Sequence, residues 1–260
     1  LAASINYAHA CKAAAFGEYS IYMSLEIYPV VHVKDTAQAV EQSTMAYELG
    51  ADGVYLIDHN SHVKTDQLVG AYGVLASTHP DKFIGLNFLQ CTNSYSTFKL
   101  LGRLAADEEI PRLPDGLWVD CAAVVAEATD ELRSAQPELR DIRYLGGIAF
   151  KYTPFHTEDP AEAAGQARRF SSYVDVVTTS GPGTGQPANP EKVAAMKAAI
   201  GPQHLAIASG IDASNIDLYR DSLDEILVST SVETSPQSGI FDADKLEELI
   251  ALAHQEARQT

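Results

Sequence analysis

The sequence predicts an α/β protein folded as a single (β/α)8 barrel, and three observations carry that expectation. Eight short, almost wholly apolar runs recur about every 20–33 residues. Brief apolar runs are what parallel strands need when helices cover the sheet. Amphipathic stretches with capping residues lie between them. No Pro/Ser-rich linker or low-complexity tract divides the 260 residues. Residues 28–260 therefore read as one barrel, preceded by a helical extension over 1–27 that covers the barrel bottom or a partner subunit. A doubly wound open sheet of eight strands is the alternative.

The strand runs are 28–33, 53–58, 83–89, 117–121, 144–151, 174–179, 205–209 and 225–229. After the first, Asp35 or Thr36 supplies a helix cap, Val40, Met45 and Leu49 supply apolar contacts, and Gly50 stops the helix. After the third, a polar loop carrying Thr92, Asn93, Ser94, Tyr95 and Ser96 leads into a helix, as loops at a barrel mouth do. Between the sixth and seventh runs Asn189 caps a helix, Pro190 takes its first position, Val193, Met196 and Ile200 point inward, and Gly201 lies just past its end. The last helix starts near Asp242 and buries Leu246, Leu249, Ile250 and Ala253.

Composition narrows the partners. The net charge is −17 and the acid is spread along the chain, so no basic patch is present to neutralise phosphates, and nucleic acid is excluded as a partner. No apolar run approaches the roughly 20 residues of a membrane helix. Residues 1–25 are alanine-rich but interrupted by Asn6, His9, Lys12 and Glu18 without a cationic start, so no signal peptide is expected. Cys11, Cys91 and Cys121 are odd in number and widely spaced, which reads as reduced thiols in a cytoplasmic protein. A homo-oligomer is expected, and no cofactor.

The most informative stretch runs from Val177 to Pro187, where a strand enters Ser180-Gly181-Pro182-Gly183-Thr184-Gly185. Glycine lets the backbone take positive φ and approach a ligand closely. Ile207-Ala208-Ser209-Gly210 and Leu227-Val228-Ser229-Thr230-Ser231 also end strands in small polar residues. Ser180, Gly181, Gly183, Thr184 and Gly185 would form a mobile lid. Ser209, Gly210, Thr230 and Ser231 would cradle an anion through backbone N–H groups. Asp212 would oppose that anion unless it caps the following turn. No Gly-Lys-Ser/Thr follows, so this is not a P-loop, and the next helix starts too late for a dinucleotide fingerprint.

Active sites of such barrels lie at the C-terminal ends of the strands. The polar residues expected there include His32, Asp58, His59, Asn87, Asp120 and Lys151. Lys151 closes the run Gly146-Gly147-Ile148-Ala149-Phe150, where alternation puts it on one face with Gly147 and Ala149 and leaves room for a long side chain. A buried lysine has a lowered pKa and serves as base, Schiff-base nucleophile or phosphate clamp, or pairs structurally with an aspartate. Asp58 and Asp120 would add acid–base groups or hold sugar hydroxyls. His32, His59 and Asn87 would contact substrate, and no tight spacing supports a metal. Tyr152, Phe155 and His156 stack on a ring or pack against the lid.

The C-terminal half resembles the BtpA family of the ribulose-phosphate-binding barrels. The likeness rests on residues 176–187, on Ala208-Ser209-Gly210-Ile211 with Asn215, and on Ile226-Leu227-Val228-Ser229-Thr230-Ser231, with 84–89 similar to the family's third strand. It departs where Ser229 stands in place of the family's usual Gly, and where Asp58-His59-Asn60 shifts the pair after strand two. The resemblance implies the barrel fold and an assembly role or an unassigned activity. The tryptophan synthase α subunit is a more distant analogy. Together these readings point to an isomerase, epimerase or lyase acting on a phosphorylated or sugar-like small molecule, with Lys151, Asp120 and Asp58 catalytic. The alternatives are a non-catalytic assembly or binding factor, and a nucleoside or glycoside hydrolase using Asp58 with Asp120.

Overall fold

A computed structural model describes residues 24–58, 65–91 and 93–255. Of the helical extension expected over 1–27, residues 1–23 lie outside them, as does the candidate substrate-binding residue His59, and Glu26 and Ile27 belong to the first strand, not to a helix. Eight parallel strands close into a barrel in sequence order: β1 (Glu26–His32), β2 (Val54–Ile57), β3 (Ile84–Asn87), β4 (Gly116–Val119), β5 (Arg143–Gly147), β6 (Val176–Thr179), β7 (His204–Ile207) and β8 (Glu225–Val228). Pairing of Glu26–Pro29 with Glu225–Val228 completes the ring. The open-sheet alternative is thereby excluded.

Helices α1 (Thr36–Glu48), α2 (Thr65–Thr78), α3 (Ser94–Ala106), α4 (Ala126–Ala135), the single turn α5 (Pro137–Arg140), α6 (Pro160–Phe170), α7 (Pro190–Ile200) and α8 (Ala243–Ala253) wrap the outside. Asp35, Asn93, Asp159, Asn189 and Asp242 each accept a hydrogen bond from a first-turn N–H. These short polar side chains satisfy donors that have no partner within the helix. In α1 the buried face carries Gln38, Ala39, Gln42, Ser43, Ala46 and Tyr47. Val40, Met45 and Leu49 supply the expected apolar contacts from its margins, half-buried against the core. Small side chains bring this helix close to the barrel, and the larger apolar ones seal its edges.

Alternation along the strands splits the core in two. Val31, Leu56, Leu86 and Leu117 face the helices. Tyr28, Tyr55, Trp118, Leu145, Val176 and Leu227 fill the barrel. Tyr55 is fully buried, and Gly85 and Gly116 make room for it. A Cβ on Gly116 would lie 2.5 Å from its hydroxyl, and one on Gly85 would overlap its ring.

The N-terminal ends of the strands are tied by a device repeated four times. Asp52, Asp115, Asp175 and Asp224 stand just before β2, β4, β6 and β8. Each carboxylate accepts from a backbone N–H on the preceding strand, at Ile27, Ile84, Tyr144 and Leu205, over 2.7–2.8 Å. Each aspartate's own N–H donates back to that residue's carbonyl. Each also meets a basic side chain: His254, Arg112, Arg133 and Lys197 respectively.

A charged layer floors the barrel. Arg143 lies 3.1 Å from Glu26 and 2.5 Å from Glu225, and His204 lies 2.9 Å from Glu225. Burial raises the pKa of the Glu225 carboxyl, against the hydrogen bond from His204 and the Arg143 charge. The His204 imidazole is raised chiefly by that same hydrogen bond.

Candidate active site

At the opposite end the strands and their following loops enclose a cavity of about 270 Å3. Val30, Ile57, Trp118 and Leu227 form its inner wall, and His32, Asp120, Lys151, Thr184, Ser209 and Thr230 are among its polar lining. Gly185, Gly210 and Ser231 also border it. This is the face where the sequence placed the site.

Lys151 reaches the cavity by a different route from the one expected. Strand β5 ends at Gly147, and Ala149 has φ +51°, which breaks the alternation. The lysine belongs to the turn beyond. Its backbone N–H donates to Ser180 Oγ (2.8 Å) and its Nζ to the Ala208 carbonyl (3.0 Å). The ammonium also lies 5.6 Å from the Phe150 ring centre. Burial lowers its pKa, and the Asp120 charge partly offsets this. Asp120 accepts from Asn87 Nδ2 over 3.1 Å, so the buried amide at the end of β3 helps to orient the carboxylate.

Asp58 is fully buried but is not part of the cavity lining. It follows Ile57, which faces the interior, so one step of alternation turns it outward. Its Oδ1 accepts from Leu89 N over 2.7 Å and ties down the loop after β3. Two carboxylates converging on one sugar, the hydrolase arrangement, are therefore not formed by Asp58 and Asp120.

The glycine-rich loop after β6 is bolted to its neighbours. Ser209 Oγ lies within hydrogen-bond reach of the carbonyls of Gly183 (2.9 Å) and Gln186 (3.1 Å). Gly210 has φ +72°, and a Cβ there would overlap the backbone of Gln186 and Pro187. Gly181 meets the same two residues. Ser180, Gly181 and Gly183 thus shape the loop from behind, and Thr184 and Gly185 face the cavity. Tyr152, at φ +60°, reaches across from the β5 loop. Its hydroxyl accepts from Thr184 N at 3.0 Å. Asp212 is turned to Ser214, bonding its N–H (2.8 Å) and hydroxyl (2.6 Å), which keeps its charge engaged in a turn.

Two buried ionisable side chains beside the site escaped the sequence reading, as did Arg133 and Glu225 elsewhere in the barrel. Lys192, on α7, is fully buried, and its Nζ donates to the carbonyls of Ala149 (3.0 Å) and Ser180 (2.8 Å) and to Glu158 (2.8 Å). All three ammonium protons are used, so Lys192 braces both residues that position Lys151. Helical spacing places it beside Val193 and Met196, the only clue the sequence holds. Glu233 is also buried. It accepts from Ser229 Oγ at 2.9 Å and lies 3.5 Å from His32 Nδ1. Ser229 has φ −143°, a backbone conformation that any residue adopts. Among the described residues no three His, Cys, Asp or Glu side chains gather as a metal-binding group.

This fold recurs widely. The chain superposes on phosphoribosyl anthranilate isomerase from Thermus thermophilus with a TM-score of 0.57 at 16% identity, over 87% of this chain and 97% of that one. Thiamine phosphate pyrophosphorylase from Pyrococcus furiosus gives 0.59 at 13% identity, over 88% and 95%. Mycobacterium tuberculosis tryptophan synthase gives 0.62 at 14% identity, over 89% and 93%. At these identities the likeness defines the class, a (β/α)8 barrel, and nothing narrower. No family model matches the chain, and no curated protein matches it in sequence.

Proposed function

We propose that this barrel is an enzyme of the isomerase or lyase type acting on a phosphorylated or sugar-like small molecule. The observation that carries this reading is Lys151, a half-buried ammonium with a lowered pKa, lining one cavity with Asp120 at the C-terminal end of the barrel. Desolvation and a facing carboxylate tune a lysine for proton transfer. In this reading Lys151 and Asp120 exchange protons with substrate, and His32 with the loops at Thr184–Gly185, Ser209–Gly210 and Thr230–Ser231 holds its polar groups. Asn87 and Lys192 position the catalytic pair from behind, and Asp58 holds the loop after β3 through Leu89 N.

The motifs at 176–187 and 208–211 favour a BtpA-type member of the ribulose-phosphate-binding barrels. The solved barrels above, two of whose names include a phosphate or phosphoribosyl group, support a phosphorylated ligand. A cytoplasmic location and self-association complete the proposal; Cys91 and Cys121 as free thiols agree with the former. No described helix is long and apolar enough to cross a membrane.

A thermal-shift screen with inorganic phosphate, ribose 5-phosphate and ribose tests the ligand class. A ligand at 100 times its Kd adds about 2.7 kcal/mol of apparent stability. Stabilisation by ribose 5-phosphate but not ribose is expected. Turnover of the substrate so found should drop at least 100-fold in Lys151→Met and in Asp120→Asn, and unchanged turnover in both would sink the catalytic assignment.

A further inference from the structure

The cavity is layered. His32 ends β1 two residues beyond Val30, where side chains two apart share a face, and Asp120 directly follows β4, two residues beyond Trp118, with both polar side chains lining the cavity. One pleat step, about 7 Å along a strand, separates the polar level from the apolar level beneath it. That lower level is made by Val30, Trp118 and Leu227, each no more than 5% exposed, and Ile57, paired with His32, carries the apolar wall up to the polar level. Trp118 is itself held edge-on against Phe150 (centroids 6.0 Å) and Tyr55 (6.4 Å). The wall is a fixed aromatic and branched-aliphatic surface.

A plain phosphosugar fits the upper level and not the lower one. Its several hydroxyls would lose water against side chains that offer a single hydrogen bond between them, from the unpartnered Trp118 indole N–H, and every hydroxyl left unsatisfied weakens binding. We infer that the substrate is bipartite: an apolar six-membered ring, aromatic by preference, inserted against Trp118, Ile57 and Leu227, joined to a polar anionic head held at the level of Lys151. An apolar cavity of about 150 Å3 accepts benzene. The 270 Å3 here holds such a ring together with a head group of similar size. This inference rests on the proposed function for the anionic head, while the ring subsite stands on the apolar level alone.

The chain contains one tryptophan, and it forms this wall, so its fluorescence reads the subsite directly. The probes are phenyl phosphate, cyclohexyl phosphate, ribose 5-phosphate, inorganic phosphate and phenol, titrated into the wild-type protein. Phenyl phosphate should change the Trp118 emission saturably and bind at least tenfold more tightly than ribose 5-phosphate or inorganic phosphate, with cyclohexyl phosphate between. Leu227→Phe, checked for folding by near-ultraviolet circular dichroism, should reduce the ratio of phenyl phosphate to inorganic phosphate affinity at least tenfold. Equal affinities for phenyl phosphate, ribose 5-phosphate and inorganic phosphate overturn the ring subsite and leave the phosphorylated-ligand reading standing. Binding of phenol with no gain from its phosphate supports the ring subsite and removes the anionic head. No response to any ring compound overturns the inference outright.

Discussion

Lys151 and Lys192 show how surroundings decide what a lysine does. Both are desolvated and both have lowered pKa values. Lys192 has three acceptors around its ammonium, so its charge is fully engaged in bracing the turn. Lys151 has one carbonyl partner for its ammonium and a cavity beside it. Because burial depresses the Lys151 pKa, its charge is lost on the alkaline side below the ordinary value of 10.5. Affinity for an anionic ligand, measured by titration from pH 7 to 10.5, should therefore fall as pH rises, with a midpoint under 10.5. Lys151→Arg, which stays charged throughout, should flatten that limb; a limb that persists in the variant assigns the titration to another group.

At the level of elements, the barrel was largely legible, and so was the face that carries the cavity, while the direction of Asp58 and the route of Lys151 were not. Eight runs were readable as strands because parallel strands buried on both sides need apolar residues throughout. Caps such as Asn189 and Asp242 were readable because their chemistry is local. Lys151 was placed by extending strand alternation beyond the last ladder residue, and Asp58 by its position at a strand end. In β5 that alternation stops at Ala149, whose positive φ only the tertiary structure requires. In β2 the outward phase of Asp58 follows from Ile57 facing inward, a choice that an all-apolar strand does not reveal. Arg143 with Glu225 and Lys192 with Glu158 join residues 82 and 34 apart, a separation no periodicity reaches. The aspartate brackets are different, since an aspartate precedes every even-numbered strand and the repeat could be read directly. Asp115→Ala should lower stability by about 1–2 kcal/mol through the lost bond to Ile84 N, while Asp115→Asn, which keeps an acceptor, should recover roughly half. Chemical denaturation of the two variants checks this, and equal losses would mean that charge, rather than the backbone bond, is what matters there.

For the molecule as a whole, the excess of acid sets the response to salt. A net charge of −17 repels itself in the compact state, and screening shortens the range of that repulsion from about 30 Å at 0.01 M to about 3 Å at 1 M salt. The melting temperature should rise by several degrees between 0.01 and 0.5 M sodium chloride. A fall would mean that ion pairs such as Arg133–Asp175 and Lys197–Asp224 outweigh the general repulsion.

The charged floor also governs traffic. Tyr28, Tyr55 and Glu225 close the barrel beneath the cavity, so a molecule that enters must leave by the same doorway. Whatever part of a substrate goes in first is then the last to come out. If the reaction splits that substrate, the fragment nearest the rim departs before the one against Trp118. The deeper fragment then competes with incoming substrate, and the polar seal chosen for the bottom of a barrel becomes the reason its products leave in a fixed order.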